Sequence, residues 1–176
     1  DINDHEILAD AYLNLAKINL KEENLSESRL LFNKALNIAK GSLKTQLKYL
    51  YERAKYNQKT EKISFAIKLL KQALNLPGLD ENTVQRHKKQ ILKISKLLAK
   101  IFIYLRDDVK YDHLVLNNMK KLLTSDTIFN LEMTLKFYQI KADFHKFLLK
   151  DENMSNYFLD QALNIKNQLN VIGVPI

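Results

Sequence analysis

Cysteine is absent from the 176-residue sequence, and glycine and proline are scarce, with three and two residues. Without cysteine the chain has no disulfide, no thiolate metal site and no cysteine nucleophile. Three glycines leave little material for tight turns or phosphate-binding loops, and no GxxxxGK[ST], GxGxxG or GxSxG motif occurs. We therefore expect an all-α chain that holds no cofactor and is not an enzyme.

Long apolar runs are missing as well. The longest apolar patches, such as Ile101–Leu105, are far shorter than the roughly 20 residues that a membrane-spanning helix needs. The chain begins with the polar stretch DINDHE, which is unlike a signal peptide, and ends in the apolar stretch NVIGVPI. We expect a single domain over residues 1–176 that is a piece of a longer, intracellular protein and has no membrane segment.

The histidines and the paired acids form no recognisable catalytic or metal-binding pattern. No histidine has a second histidine at the spacing of a metal pair such as HExxH, and only His5 has an acid, Asp1, at a helical spacing. Three acidic pairs, Glu22–Glu23, Asp107–Asp108 and Asp151–Glu152, fall between predicted helices, where acids stabilise the start of the next helix. We expect no metal site and interpret the histidines as solvent-facing or packing residues: His5, His87, His113 and His145.

Apolar residues recur at steps of three and four positions along the chain, which is the period of one face of a helix. In the first stretch, Ile7, Ala11, Leu15 and Ile18 share such a face. No stretch shows the strict two-residue alternation of a strand. The predicted helices span residues 4–22, 25–41, 43–57, 61–76, 82–105, 109–123, 128–149 and 154–169.

A short motif recurs along these predicted helices. KALNI at residues 34–38 returns as QALNL at 72–76 and as QALNI at 161–165. Ala35 and Ala73 are 38 residues apart, and the 89 residues from Ala73 to Ala162 make two steps if Met119 takes the intermediate place. Repetition at such a period is typical of helical-repeat proteins. We predict four helix pairs of unequal length, at about residues 4–41, 42–78, 80–124 and 127–170.

The segment from Ala11 to Ile38 resembles a tetratricopeptide repeat (TPR), a family whose pattern places large, small and aromatic residues at set offsets. Its matching residues are Tyr12, Leu15, Ala16, Ser28, Phe32 and Ala35, with Asn19 where a tyrosine is expected. The second pair keeps Ala54, Ala66, Leu70, Ala73 and Pro77, and departs from the pattern at Leu50, Arg53 and Asn57. The third pair keeps little beyond its length, and the fourth, after one inserted residue, keeps Tyr138, Ala142, Ser155, Leu159 and Ala162.

This resemblance implies the fold of the TPR family, a right-handed superhelix, here with about four antiparallel helix pairs. A single pair cannot bury its apolar face alone, so neighbouring pairs stack on one another. The small residues expected to let paired helices approach closely are Ala16, Ala54 and Ala142, and the large residues expected between neighbouring pairs are Phe32, Leu70 and Leu159.

The resemblance also implies a partner-binding groove lined by the first helix of each pair. Its positions recur at four-residue steps and form a basic stripe with aromatic interruptions. Two interpretations stay open: a lysine face that only solvates the helices, or a groove for an acidic protein or peptide segment. The mapped residues are Leu13, Lys17, Lys21, Tyr51, Lys55, Lys59, Lys96 and Lys100.

The function predicted from these features is a noncatalytic protein-interaction scaffold. One alternative is a helical-repeat segment of a larger enzyme, such as the repeat region of a phosphatidylinositol-3-kinase-related kinase. Another is nonspecific nucleic-acid association, which we do not expect, because only four of the 28 basic residues are arginine and the net charge of +8 is spread evenly. The chaperone-binding TPR subtype is not expected either, since Glu52 would repel the partner's carboxylate.

Overall fold

The structure is a computed structural model that describes residues 2–39, 41–106 and 127–174. Every regular element in these ranges is a helix, which confirms the all-α prediction. The elements are α1 (Ile2–Lys21), α2 (Leu25–Ala39), α3 (Leu43–Lys59), α4 (Ile63–Leu74), α5 (Glu81–Arg86), α6 (Lys88–Tyr104), α7 (Thr127–Phe144) and α8 (Glu152–Val171), with a π-helical turn at His145–Leu149 between α7 and α8.

One predicted helix is interrupted, and one lies outside the described residues. The prediction of a continuous helix over 82–105 is wrong, because α5 ends at Arg86 and α6 begins at Lys88. Asp80 caps α5 by accepting a hydrogen bond from the Thr83 N–H at 2.8 Å. The predicted helix at 109–123, which includes Met119, lies outside the described ranges.

The chain forms two compact units, Asp1–Leu79 and Asp80–Ile176. They divide where the sequence predicts the boundary between the second and third helix pairs. That the two units form one domain stays a prediction. In the N-terminal unit, α1 packs on α2, α3 packs on α4, and α3 also contacts α1 and α2. In the C-terminal unit, α6 packs on α7 and α7 packs on α8.

The two helical hairpins of the N-terminal unit, α1–α2 and α3–α4, have no glycine in the turns that join their helices. Glu23 and Glu61 adopt the left-handed conformation, with φ of 65° and 60°. Directly after them, the Asn24 N–H donates to the Asn19 carbonyl at 2.9 Å, and the Lys62 N–H donates to the Asn57 carbonyl at 2.8 Å. Both bonds span five residues and satisfy a carbonyl at the end of the first helix of the pair. Because Glu61 is left-handed, α4 begins at Ile63 and not at residue 61 as predicted.

Paired helices touch through a buried serine in two of the hairpins. The Ser28 hydroxyl of α2 donates to the Ala16 carbonyl of α1 at 2.9 Å. Farther from the turn, the Lys34 ammonium of α2 lies 5.8 Å from the ring centroid of Tyr12 on α1. A later residue of α2 thus meets an earlier residue of α1, so the two helices are antiparallel. The Ser155 hydroxyl of α8 makes the matching bond to the Ala142 carbonyl of α7 at 3.0 Å. Such an approach needs a small residue on the first helix.

The π-helical turn accounts for one additional residue in the α7–α8 hairpin. Ala16 and Ser28 are 12 positions apart, whereas Ala142 and Ser155 are 13 apart. The Asp151 N–H donates at 2.9 Å to the carbonyl of His145, six residues back instead of five. A π-helical turn holds one residue more than an α-helical turn, so the serine contact is kept.

Large side chains fill the space between hairpins in the N-terminal unit. Phe32 is fully buried on α2 and meets Tyr56 of α3 edge to face, with ring centroids 5.6 Å apart. Leu70 is also fully buried.

In the C-terminal unit, the expectation that Leu159 fills the space between helix pairs is wrong, since this side chain is 46% exposed. Its neighbour Phe158 is buried instead and stacks on Tyr138 of α7 at 6.2 Å.

Candidate partner-binding groove

Helices α1 and α3 lie side by side, and two ion pairs between them show their register. The Lys44 ammonium lies 3.2 Å from a Glu6 carboxylate oxygen, and Lys48 pairs with Asp10. Both pairs join residues 38 positions apart, which is also the separation of Ala35 and Ala73 in the repeated motif. Equivalent positions of the two helices therefore lie next to each other.

Towards their C-terminal ends, α1 and α3 border a solvent-open cavity of about 310 Å³. Four of the eight predicted partner-binding residues line it, two from each helix. We call this surface the α1–α3 groove; its lining residues are Lys17, Leu20, Lys21, Glu52, Lys55, Gln58 and Lys59. The structure thus brings the lysines predicted on the first two helix pairs onto one surface.

A glutamate at the centre of the groove offsets part of its positive charge. The Glu52 carboxylate lies 3.6 Å from the ammonium groups of both Lys17 and Lys55, and its side chain is only 13% exposed. Lys59 donates to the Leu20 carbonyl at 2.7 Å and lies 3.7 Å from a Glu23 carboxylate oxygen. Among the four lysines, Lys21 alone has no ion pair with a described residue, so it is the one most available to a ligand.

The other predicted residues do not join this groove. Leu13 is 3% exposed and packs in the core, where it cannot contact a ligand as predicted. Tyr51 is half-buried beneath Lys55, whose ammonium lies 5.7 Å from the ring centroid. Burial, and then the neighbouring Glu52, raise the pKa of Tyr51 above its ordinary value, so its hydroxyl stays protonated.

Lys96 and Lys100 lie on α6 in the C-terminal unit, and both are exposed. Lys96 borders a cavity of about 10 Å³ between α6 and α7, with Lys136 on its far side. That volume holds about one water molecule and no peptide side chain. The groove described above is built from the N-terminal unit alone.

Sequence mapping missed the acids on the same helix faces. Glu6 and Asp10 precede Lys17 on one face of α1, and they neutralise Lys44 and Lys48 of α3. Hydrogen bonds from Ser42 and Lys44 lower the pKa of Glu6, which keeps this carboxylate ionised at neutral pH. The paired face is therefore neutral in its N-terminal half and basic in its C-terminal half. Comparing the charges of residues that are 38 positions apart in the sequence would have shown this pattern.

One histidine, His145, and one acid, Asp151, make contacts that stabilise the fold of the C-terminal unit. His145 is 9% exposed, its ring centroid lies 5.2 Å from that of Phe158, and its Nδ1 lies 3.9 Å from Asp151. Asp151 caps α8 by accepting the Met154 N–H at 3.0 Å, which confirms the predicted role of this acid at a helix start. Over the described ranges, no three histidine or acidic side chains are grouped to hold a metal ion.

None of the described helices combines the length and the apolar character needed to cross a bilayer. No protein-family model, curated protein or solved structure matches the chain.

Proposed function

We propose that this chain is a noncatalytic, TPR-like helical-repeat scaffold, with its helix pairs in a right-handed superhelix, that binds an acidic peptide segment. The observation that carries the proposal is the α1–α3 groove, where equivalent positions of two first helices supply four lysines against one glutamate.

The TPR-like part of the proposal is supported by features that recur in the hairpins. The Ser28–Ala16 and Ser155–Ala142 bonds place the same small contact between paired helices. The turns after Asn19 and Asn57, which are 38 residues apart, have the same backbone bond. Recurrent local geometry at a repeat period is the signature of stacked helical repeats.

The charge distribution defines the kind of peptide that the groove would prefer. Lys44 and Lys48 each have an acid of their own, whereas Lys17 and Lys55 share Glu52 and Lys21 has no ion pair with a described residue. Acidic side chains therefore gain most beside Lys17, Lys21 and Lys55. Leu20 adds an apolar contact between these lysines. A short acidic segment would be attracted by the basic half, while Glu52 would disfavour a carboxylate placed directly over it.

A fluorescein-labelled peptide of ten glutamates, followed by fluorescence anisotropy at low and physiological salt, tests the groove. Lys17→Gln, Lys21→Gln and Lys55→Gln together should weaken binding roughly tenfold, at about 0.5 kcal/mol per exposed charge. The matched control carries Lys34→Gln, Lys71→Gln and Lys166→Gln, which lie outside the groove lining. The control should bind within about twofold of the unchanged protein.

Equal weakening by the two triple variants would contradict the groove, because it would show a response to net charge alone. Duplex DNA is the second probe for the same variants. Nonspecific association would give a slope of log affinity against log salt of about −0.9 per neutralised phosphate, with no difference between the variants. That outcome would favour a nucleic-acid-associating repeat over a peptide-binding scaffold.

A further inference from the structure

A second cavity of the N-terminal unit, of about 420 Å³, lies among α2, α3 and α4 and opens to solvent. We call it the α2–α4 cavity. Four basic side chains line it: Arg29 from α2, Arg53 from α3, Lys62 from the turn before α4, and Lys68 from α4. No described aspartate or glutamate lines it. It shares no lining residue with the α1–α3 groove.

The positive charges of the α2–α4 cavity have no acidic partner within the described part of the chain. None of its four basic side chains forms an ion pair with any described residue, whereas Lys17, Lys55 and Lys59 of the groove each do. The Nη1 atom of Arg53 is buried and has no hydrogen-bond acceptor within the described residues. A buried charged donor without a partner costs free energy that an anion would offset.

Aromatic rings hold the Arg53 guanidinium in place. Its central carbon lies 4.8 Å from the Tyr56 ring centroid and 5.4 Å from that of Phe32. The Tyr56 hydroxyl in turn donates to the Leu25 carbonyl at 3.3 Å. Arg53 is therefore oriented before any ligand arrives, which reduces the entropy lost on binding.

The position of Arg53 is unusual when the two first helices are compared. It lies 38 residues after Leu15, so the first helix pair has an apolar side chain at the equivalent place. Leu15 is 48% exposed, so the side chain at this position does not fill the core in the first helix pair. The charged side chain packed against two rings is thus not needed to fill the core, and such features mark candidate binding sites.

The rest of the lining favours a ligand larger than an inorganic ion. The Tyr49 hydroxyl stays protonated, because burial raises its pKa, and so it can donate to an acceptor oxygen. Phe65, which is 61% exposed, presents an apolar ring at the same cavity. The volume falls in the range of small-molecule sites, roughly 300–1,000 Å³.

We propose that the α2–α4 cavity binds a phosphomonoester carried on an apolar or aromatic group, with Arg53 as the anchoring cation. Phosphomonoesters carry about −1.5 to −2 charges at pH 7 and present three acceptor oxygens. Guanidinium groups suit such oxygens better than ammonium groups, because their donors form a planar fork. Arg29, Lys62 and Lys68 supply the remaining positive charge. This site is independent of the proposed peptide groove.

Calorimetric titration of the full chain with phenyl phosphate at pH 7.5 and 50 mM NaCl tests the proposal. Saturable binding at one site per chain is expected, and Arg53→Leu should weaken it at least tenfold. Because leucine occupies the equivalent position 15, this variant should fold, and circular dichroism checks that it does. Arg29→Gln with Lys68→Gln, two exposed positions, should weaken binding at least fivefold without a packing change.

Lys21→Gln and Lys34→Gln are the charge-matched controls, since neither residue lines the cavity. Both should bind phenyl phosphate within twofold of the unchanged protein. Lowering the pH from 7.5 to 5 should weaken binding as the phosphomonoester loses charge near pH 6. Non-saturable heats, or equal affinity in the Arg53→Leu variant and the controls, would overturn the proposal.

Two further probes distinguish the source of the phosphomonoester. Inorganic phosphate should bind at least tenfold more weakly than phenyl phosphate, and equal affinity would contradict the role given to the aromatic lining. Free phosphotyrosine and a phosphotyrosine-containing peptide are then compared. Tighter binding of the peptide identifies a modified protein partner, and equal binding identifies a small phosphorylated ligand.

Discussion

Replacing Ala16 by leucine should destabilise the chain strongly, because the residue lies where α2 packs directly against α1. Ala16 is fully buried, and its carbonyl accepts the Ser28 hydroxyl at 2.9 Å. Three added carbons must push α2 away or adopt a strained rotamer, which costs about 1–3 kcal/mol. Separation of the helices also stretches the buried serine bond, which contributes about 1 kcal/mol.

The expected loss in the free energy of unfolding is therefore about 2–4 kcal/mol. Urea unfolding followed by circular dichroism measures it. For a chain of this size the loss corresponds to a fall in Tm of roughly 4–16 °C. Ala11→Leu is the matched control, because Ala11 lies on the same helix and is exposed, so it should change stability by less than about 0.5 kcal/mol.

Ser28→Ala separates the two contributions. It removes the hydroxyl without adding volume, so its cost should be about 0.5–1.5 kcal/mol and clearly below that of Ala16→Leu. If Ala16→Leu is as stable as Ala11→Leu, the close helix approach is wrong. If Ser28→Ala costs as much as Ala16→Leu, the contact is held by the hydrogen bond and not by packing.

Three further changes probe the groove, an ion pair and a helix cap. Glu52→Gln should tighten binding of the ten-glutamate peptide roughly fivefold in the anisotropy assay, since Lys17 and Lys55 lose their internal partner, and weaker binding would contradict this. The pKa of Glu6 is lower in the folded chain than in the unfolded chain. The ionised Glu6 carboxylate therefore stabilises the fold fully above the unfolded-state pKa, and this stabilisation disappears as the pH falls through the folded-state pKa. In urea unfolding, the Glu6→Gln variant should thus be less stable than the unchanged protein at pH 7, by under about 1 kcal/mol, and as stable as it near pH 2. A stability difference that does not change with pH would contradict the lowered pKa of Glu6. Asp151→Ala should lower the free energy of unfolding by about 1 kcal/mol, because the N-cap of α8 is lost. The control Asp160→Ala changes an exposed residue within α8 that is not the cap, and it should leave the free energy of unfolding nearly unchanged.

The hairpins were predictable from sequence because their signals are local. Apolar periodicity places the helices, and the buried positions of Ala16 and Phe32 follow the pattern quoted for the first pair. The apolar face named for the first helix is exposed in α1, where the buried residues are Ala9, Leu13, Ala16 and Leu20. The break at His87 was not predictable in the same way. Val84 and Ile91 are both buried and seven residues apart, so the apolar period runs through the interruption unchanged.

The groove was only partly predictable, because ion pairs depend on neighbours from another helix. Four-residue steps identify Lys17 and Lys55, but they do not reveal that Glu52 lies between them at 3.6 Å from each. The α2–α4 cavity was missed for a related reason. Arg53 registers in the sequence as a departure from a packing pattern, and only the rings around it show that the charge is held in place.

The most direct test of the proposed function is to map the acidic peptide on the chain by two-dimensional ¹H–¹⁵N NMR. The proposal predicts that a ten-glutamate peptide shifts amide signals of residues 17–21 and 52–59, and that the Lys17, Lys21 and Lys55 triple variant loses these shifts. Shifts spread over lysines of α4, α6 and α8, and retained in that variant, would contradict the claim that the α1–α3 groove is the binding site.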